Sequence, residues 1–144
     1  MTLDDKLIAM QNDWTNDIQQ LNEKMKSIPK LNELLSEIYT KRQNAVDLYF
    51  GMMKVLAAQT RIYKAKYATI YNNIKCGQNN IRYTNETSLN IQVESQISDE
   101  KAVIDMLTNF TGYMKETIQT IDNMIYGINN KIKVHELING LKTI

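Results

Sequence analysis

From Ile104 to His135 the residues Ile104, Leu107, Thr111, Met114, Ile118, Ile121, Ile125, Ile128, Ile132 and His135 fall at alternating spacings of three and four, all of them apolar except Thr111 and His135. Such a heptad pattern keeps one stripe of a helix facing partners over its whole length. Val103, Phe110 and Met124 widen the stripe by one further position. A strict two-position seam suits a two-stranded coil, whereas isoleucine at both seam positions and a third apolar row call for more than one partner helix. Ile104, Leu107, Met114, Ile118, Ile121, Ile125, Ile128 and Ile132 are therefore the candidate oligomerisation residues. The competing expectation is an intramolecular bundle in which the chain covers the stripe with its own helices.

The rest of the sequence supplies such helices. Residues 2–28 read as a first helix, with Thr2 as cap, Asp4 and Asp5 in the first turn, and an apolar face through Leu7, Met10, Trp14, Ile18, Leu21 and Met25. Pro29, the only proline, either starts a second helix or kinks a continuous one. The pattern resumes over residues 30–76 and stops at Gly77. Residues 77–97 lose helical periodicity, and Ile91, Val93 and Ser95 alternate with polar residues, so a polar linker or a short strand is expected there. The final helix, residues 98–140, has Ser98 as cap and Gly140 as its stop. The fold class is all-α, and 144 residues fit one helical domain.

Charge is segregated along the chain, although the net value is only +1. Between Asp47 and Glu86 no carboxylate occurs in 38 residues, while Lys54, Arg61, Lys64, Lys66, Lys75 and Arg82 give that stretch +6. On a helical wheel Lys54, Arg61, Lys64 and Lys75 share a face about 80° wide, opposite Tyr49, Met52, Leu56, Tyr63, Tyr67, Ile70 and Ile74. Tyr63 and Tyr67 thus point into packing, and Tyr71 sits at the edge where a base can stack. Lys66 is discordant, at about 160° from the centre of the basic stripe. An ordinary solvated face mixes signs, so an acid-free stripe favours phosphate as its partner.

Other chemistry lacks its residues. The five glycines stand apart and form no phosphate loop. One cysteine, Cys76, and one histidine, His135, cannot build a disulfide or a Cys/His metal site. His135 at a seam position reads as a hydrogen-bonded structural side chain, and Asp99 with Glu100 as first-turn helix acids. No catalytic constellation, cofactor site or metal site is expected. The N-terminal region carries early acids without a signal-like apolar run, and no window reaches membrane-span length. A cytoplasmic setting without membrane contact is therefore expected.

Two passages resemble the UvsY recombination mediators of T4-like bacteriophages. IDNMIYGINNKIKVHELINGLK is similar to that family's C-terminal helix, with Ile128, Ile132, Leu137, Asn139 and Gly140 in the matching places. AAQTRIYKAKYATIY is similar to its basic helix, with Lys64-Ala65-Lys66 at the Lys-x-Arg/Lys element. Leu137 stands where the family often has an aromatic residue, and Glu136 where it often has lysine. The resemblance spans roughly residues 45 to 142. It implies a closed homo-oligomeric ring larger than a tetramer, in the host cytoplasm. Such a ring binds single-stranded DNA and helps load the RecA-like phage recombinase (UvsX) onto DNA covered by the phage single-strand-binding protein. It also implies that Lys64 and Lys66 contact DNA. The full candidate DNA-binding set is Lys54, Arg61, Lys64, Lys66, Tyr71, Lys75 and Arg82. The alternative is a non-enzymatic coiled-coil scaffold whose basic face meets an acidic protein.

Overall fold

A computed structural model describes residues 1–77 and 85–142, and within them all regular structure is helical. The order is α1 (Leu3–Lys24), a single 3-10 turn at Ile28–Lys30, α2 (Leu31–Lys75), α3 (Glu86–Gln96) and α4 (Ser98–Lys142). Thr2 caps α1 reciprocally. Its hydroxyl accepts the Asp5 amide at 3.1 Å, and its own amide donates to the Asp5 carboxylate at 3.1 Å. These bonds satisfy two otherwise orphaned donors and hold Asp5 below the usual carboxylate range. Pro29 starts a new element instead of kinking an old one. The chain leaves α1 at Met25, and the proline, whose missing N–H is harmless in a first turn, lies in the short 3-10 turn that leads into α2. Gly77, at φ +78°, ends the α2 region in the left-handed conformation that a glycine adopts freely.

Three boundaries differ from expectation. Residues 86–96 form a helix where a polar linker or strand was expected. Asn85 caps it by accepting the Ser88 amide at 2.8 Å. Leu89, Val93 and Ile97, four apart, are buried together, while Ile91 is 61% exposed. The alternation of Ile91 with Val93 therefore concealed a period of four. Ser98 is the first residue of α4 and not its cap; Ile97 holds the capping place, its carbonyl accepting the Lys101 amide at 3.1 Å. Gly140 does not stop α4, which runs on to Lys142.

The chain divides into two compact units, where length alone suggested one domain. The first comprises Met1–Gly51 and the chain from Phe110 onward, the second Met52–Asn109. In the first unit α1 and the start of α2 pack on α4. Leu7, Leu21, Leu31, Leu34, Ile38 and Ala45 are buried with Phe110, Met114, Ile121, Met124 and Ile128. Polar bonds fix the register: Arg42 Nε donates to Asp122 at 2.6 Å, Lys41 pairs with Asp17, and the Tyr113 hydroxyl donates to the Gln11 carbonyl at 3.0 Å. In the second unit Ile74, Leu89, Val93 and Ile97 form the buried centre.

This packing divides the candidate oligomerisation set into two rows. Met114, Ile121 and Ile128 are 0% exposed, and Leu107 1%, so that row is covered inside the chain. Ile104, Ile118, Ile125 and Ile132, the other row, are only half-buried. The chain's own helices take one row of the wide stripe because they are tethered to it, and a tethered partner needs no association entropy. Beyond Ile132 the cover ends. Val134, Leu137, Ile138 and Leu141 are 54, 64, 45 and 65% exposed. His135 is exposed too, and it is hydrogen-bonded across one turn to Asn139 at 3.2 Å.

Truncating the covered row tests this division. Ile121→Ala and Ile128→Ala should each cost about 2–5 kcal/mol in urea unfolding, independently of protein concentration. A loss that grows on dilution would instead place these side chains between subunits.

Candidate nucleic-acid interface

The basic stripe lies on the α2 part of the second unit. A helix from Leu31 to Lys75 without a break spans roughly 67 Å at 1.5 Å per residue, so residues seven apart repeat along one line. Lys54, Arg61, Lys64 and Lys75 are all exposed. Among the described residues, no ion pair holds Lys54, Arg61 or Lys64. The Lys75 ammonium sits 5.5 Å from the centre of the Tyr71 ring, a cation–π distance. Arg82 lies outside the described residues.

Lys66, which the wheel set apart from the stripe, has its own partner. Its ammonium donates to the Glu100 carboxylate at 2.9 Å, joining α2 to the first turn of α4. That bond holds Glu100 below the usual carboxylate range. The 160° offset therefore turns Lys66 toward α4 within its own unit, away from the exposed cations.

Tyr71 is not a bare edge. Its ring is near-parallel to that of Tyr67, with centroids 6.5 Å apart and planes 18° apart, and Tyr67 neighbours Tyr63 at 6.1 Å. These three side chains and Ile70 pack against the Ile74–Leu89–Val93–Ile97 centre, so Tyr63 and Tyr67 do face packing as the wheel required. The hydroxyls reach α3: Tyr71 donates to the Glu86 carboxylate, and Tyr67 to the Asn90 side-chain oxygen at 2.7 Å. The bond to Glu86 raises the Tyr71 phenol above its ordinary pKa, and burial raises that of Tyr67. Sequence reasoning missed these partners because it left residues 86–96 without a helix. Tyrosines at 63, 67 and 71, followed by the Asn85-Glu86 helix start, were the signal that pointed to them.

Cys76 is exposed and free, and no group of His, Cys, Asp and Glu among the described residues can hold a metal ion. The first unit has an apolar groove of about 400 Å³ lined by Met25, Ile28, Val134 and Ile138, with Lys26 and Lys131 at its edge. No helix among the described residues is long and apolar enough to cross a membrane. No protein-family model, curated protein or solved structure matches the chain.

The Lys66–Glu100 pair has a pH signature. Its contribution is complete above the ordinary carboxylate pKa and disappears as pH falls through the lowered folded value of Glu100. The stability difference between wild type and Glu100→Gln should therefore shrink as pH drops from about 6 to about 3, read from urea midpoints. A difference that is flat across this range would mean that the pair adds nothing in solution.

Proposed function

We propose that this chain is a non-catalytic single-stranded DNA-binding protein that works as a homo-oligomer. The carrying observation is the exposed row of Lys54, Arg61 and Lys64, three cations on one rigid helix with no described carboxylate paired to any of them. A phosphate backbone is the partner that suits such a row, because each neutralised phosphate releases condensed counterions. The row carries no array of side chains suited to reading base edges in a groove, so the binding is insensitive to sequence.

A single row of this kind binds weakly. The exposed Val134, Leu137, Ile138 and Leu141, at helical spacing past the end of the cover, supply a surface on which further copies can assemble. Repetition of the basic face around a closed assembly then converts weak binding into tight, salt-sensitive binding. With the resemblance to the UvsY mediators, this supports the role of loading a RecA-like recombinase onto strands covered by single-strand-binding protein. The cytoplasm of a phage-infected host is the matching location. The same apolar surface also suits the second reading, a coiled-coil scaffold whose basic face takes an acidic protein, and DNA binding separates the two.

Arg61→Ala and Lys64→Ala should each weaken binding to a labelled single strand. Each should also flatten the slope of log affinity against log salt by about 0.7 for every phosphate that the variant leaves unneutralised. Wild-type affinity and slope in both variants and in their double mutant would leave the row as a solvated face. Lys66→Ala should affect DNA affinity less than Lys64→Ala, since Lys66 is engaged by Glu100 at 2.9 Å.

Assembly is tested separately. Leu137→Asp with Leu141→Asp should lower the mass seen by light scattering while leaving the helical signal intact, because both side chains are exposed in the isolated chain. An unchanged oligomer would move the interface elsewhere, and a wild type that is monomeric at micromolar concentration would remove it.

A further inference from the structure

In the Tyr63–Tyr67–Tyr71 row of α2, the last two side chains have more than apolar neighbours. At the α3 border the Tyr71 hydroxyl meets the carboxylate of Glu86, and the Tyr67 hydroxyl meets the Asn90 side chain at 2.7 Å. One helical turn into α4, Glu100 holds Lys66 at 2.9 Å. Glu86 and Glu100 thus follow the acid-free stretch in the sequence, and each bonds one of its side chains, Tyr71 and Lys66. Beside Leu89 and Val93, which pack on the rings, the Glu86 carboxylate of α3 reaches Tyr71, and an anionic group beside aromatic rings is what a single nucleic-acid strand presents to a stacking platform.

α3 has only 11 residues; it buries Leu89, Val93 and, at its cap, Ile97 against Ile74, and leaves Ile91 61% exposed. Elements held by few buried side chains are those that open below the global unfolding free energy. Beneath it lies a platform of three tyrosines at successive four-residue spacings, with the Lys75 ammonium 5.5 Å from the last ring.

We infer that the Tyr63–Tyr67–Tyr71 row is a base-stacking surface for single-stranded nucleic acid which α3 covers in the free chain, Glu86 and Glu100 occupying the places of strand phosphates until a strand displaces them. This rests on the single-strand-binding reading and adds a site and a gate to it. The exposed Lys54–Arg61–Lys64 row makes the first, salt-dependent contact. Exchange of the carboxylates for phosphates then frees Lys66 and the rings. Lys66 touches DNA only in that second state.

The test uses the full chain, a fluorescein-labelled oligo-dT and two readouts. Anisotropy compares wild type with the Glu86→Gln/Glu100→Gln double variant, whose near-isosteric changes remove the charges of both carboxylates. Hydrogen exchange of the α3 amides, Glu86–Gln96, is followed in wild type with and without oligo-dT. The expected results are several-fold tighter binding by the variant and faster α3 exchange when the strand is bound. Placing Tyr67→Leu in the variant background, which keeps an apolar side chain, should abolish most of that gain. Equal affinity of variant and wild type, or unchanged α3 exchange in the bound state, overturns the cover while leaving single-strand binding standing. Unaltered affinity on Tyr67→Leu overturns the stacking surface, and no binding by either protein removes both this inference and the reading beneath it.

Discussion

The apolar stripe of α4 is wider than any one neighbour can cover, and the rest of the molecule follows from how that width is shared. α1 and the start of α2 bury the row of Met114, Ile121 and Ile128 to 0% exposure, and Phe110 with it. The parallel row of Ile118, Ile125 and Ile132 is left half-covered, and from Val134 onward the stripe is open. Apolar burial is the dominant favourable contribution to folding and grows with the area removed from water. The width of the stripe on α4 therefore sets how much of it the first unit uses and how much it leaves open.

The same division separates the two jobs of α2. Up to Gly51 its residues belong to the first unit; from Met52 they carry the acid-free stretch and the tyrosine row in the second. One continuous helix keeps Lys54, Arg61 and Lys64 in fixed register, which a loop could not do without an entropic cost on binding. The carboxylates that would neutralise the stretch come from beyond residue 85. Two of them engage Lys66 and Tyr71, leaving the outward row without partners among the described residues. Charge segregation along the sequence thus becomes charge segregation between two faces of one helix.

The helices themselves were legible wherever apolar residues repeat over many turns. α1, α2 and α4 fall close to the expected spans, and Gly77 stops the chain where its backbone freedom is needed. What escaped was set by short range or by tertiary context. Ile91 and Val93 alternate like a strand, and only the partner surface of Ile74 and the tyrosines reveals Leu89, Val93 and Ile97 as one helical face. Gly140 lies on an exposed turn, where a glycine costs helix stability but does not end it. The seam residues were identified correctly as apolar, yet a sequence repeat does not say whether the partner helix belongs to the same chain. Of the candidate DNA-binding residues, the wheel placed Lys54, Arg61 and Lys64 on the outer face and isolated Lys66. The partners of Lys66 and Tyr71 lie 34 and 15 residues away and required the fold.

The proposed function depends on one property, that the acid-free face of α2 binds phosphate. It is measured best by competition at equilibrium between unlabelled single-stranded and duplex DNA of one sequence for the wild-type protein, repeated across a salt series. A phosphate-binding face that prefers single strands should release a labelled strand at much lower concentrations of single strand than of duplex, with affinity falling log-linearly in salt. Absence of binding at low salt, or a clear preference for duplex, would mean that the face has some other purpose.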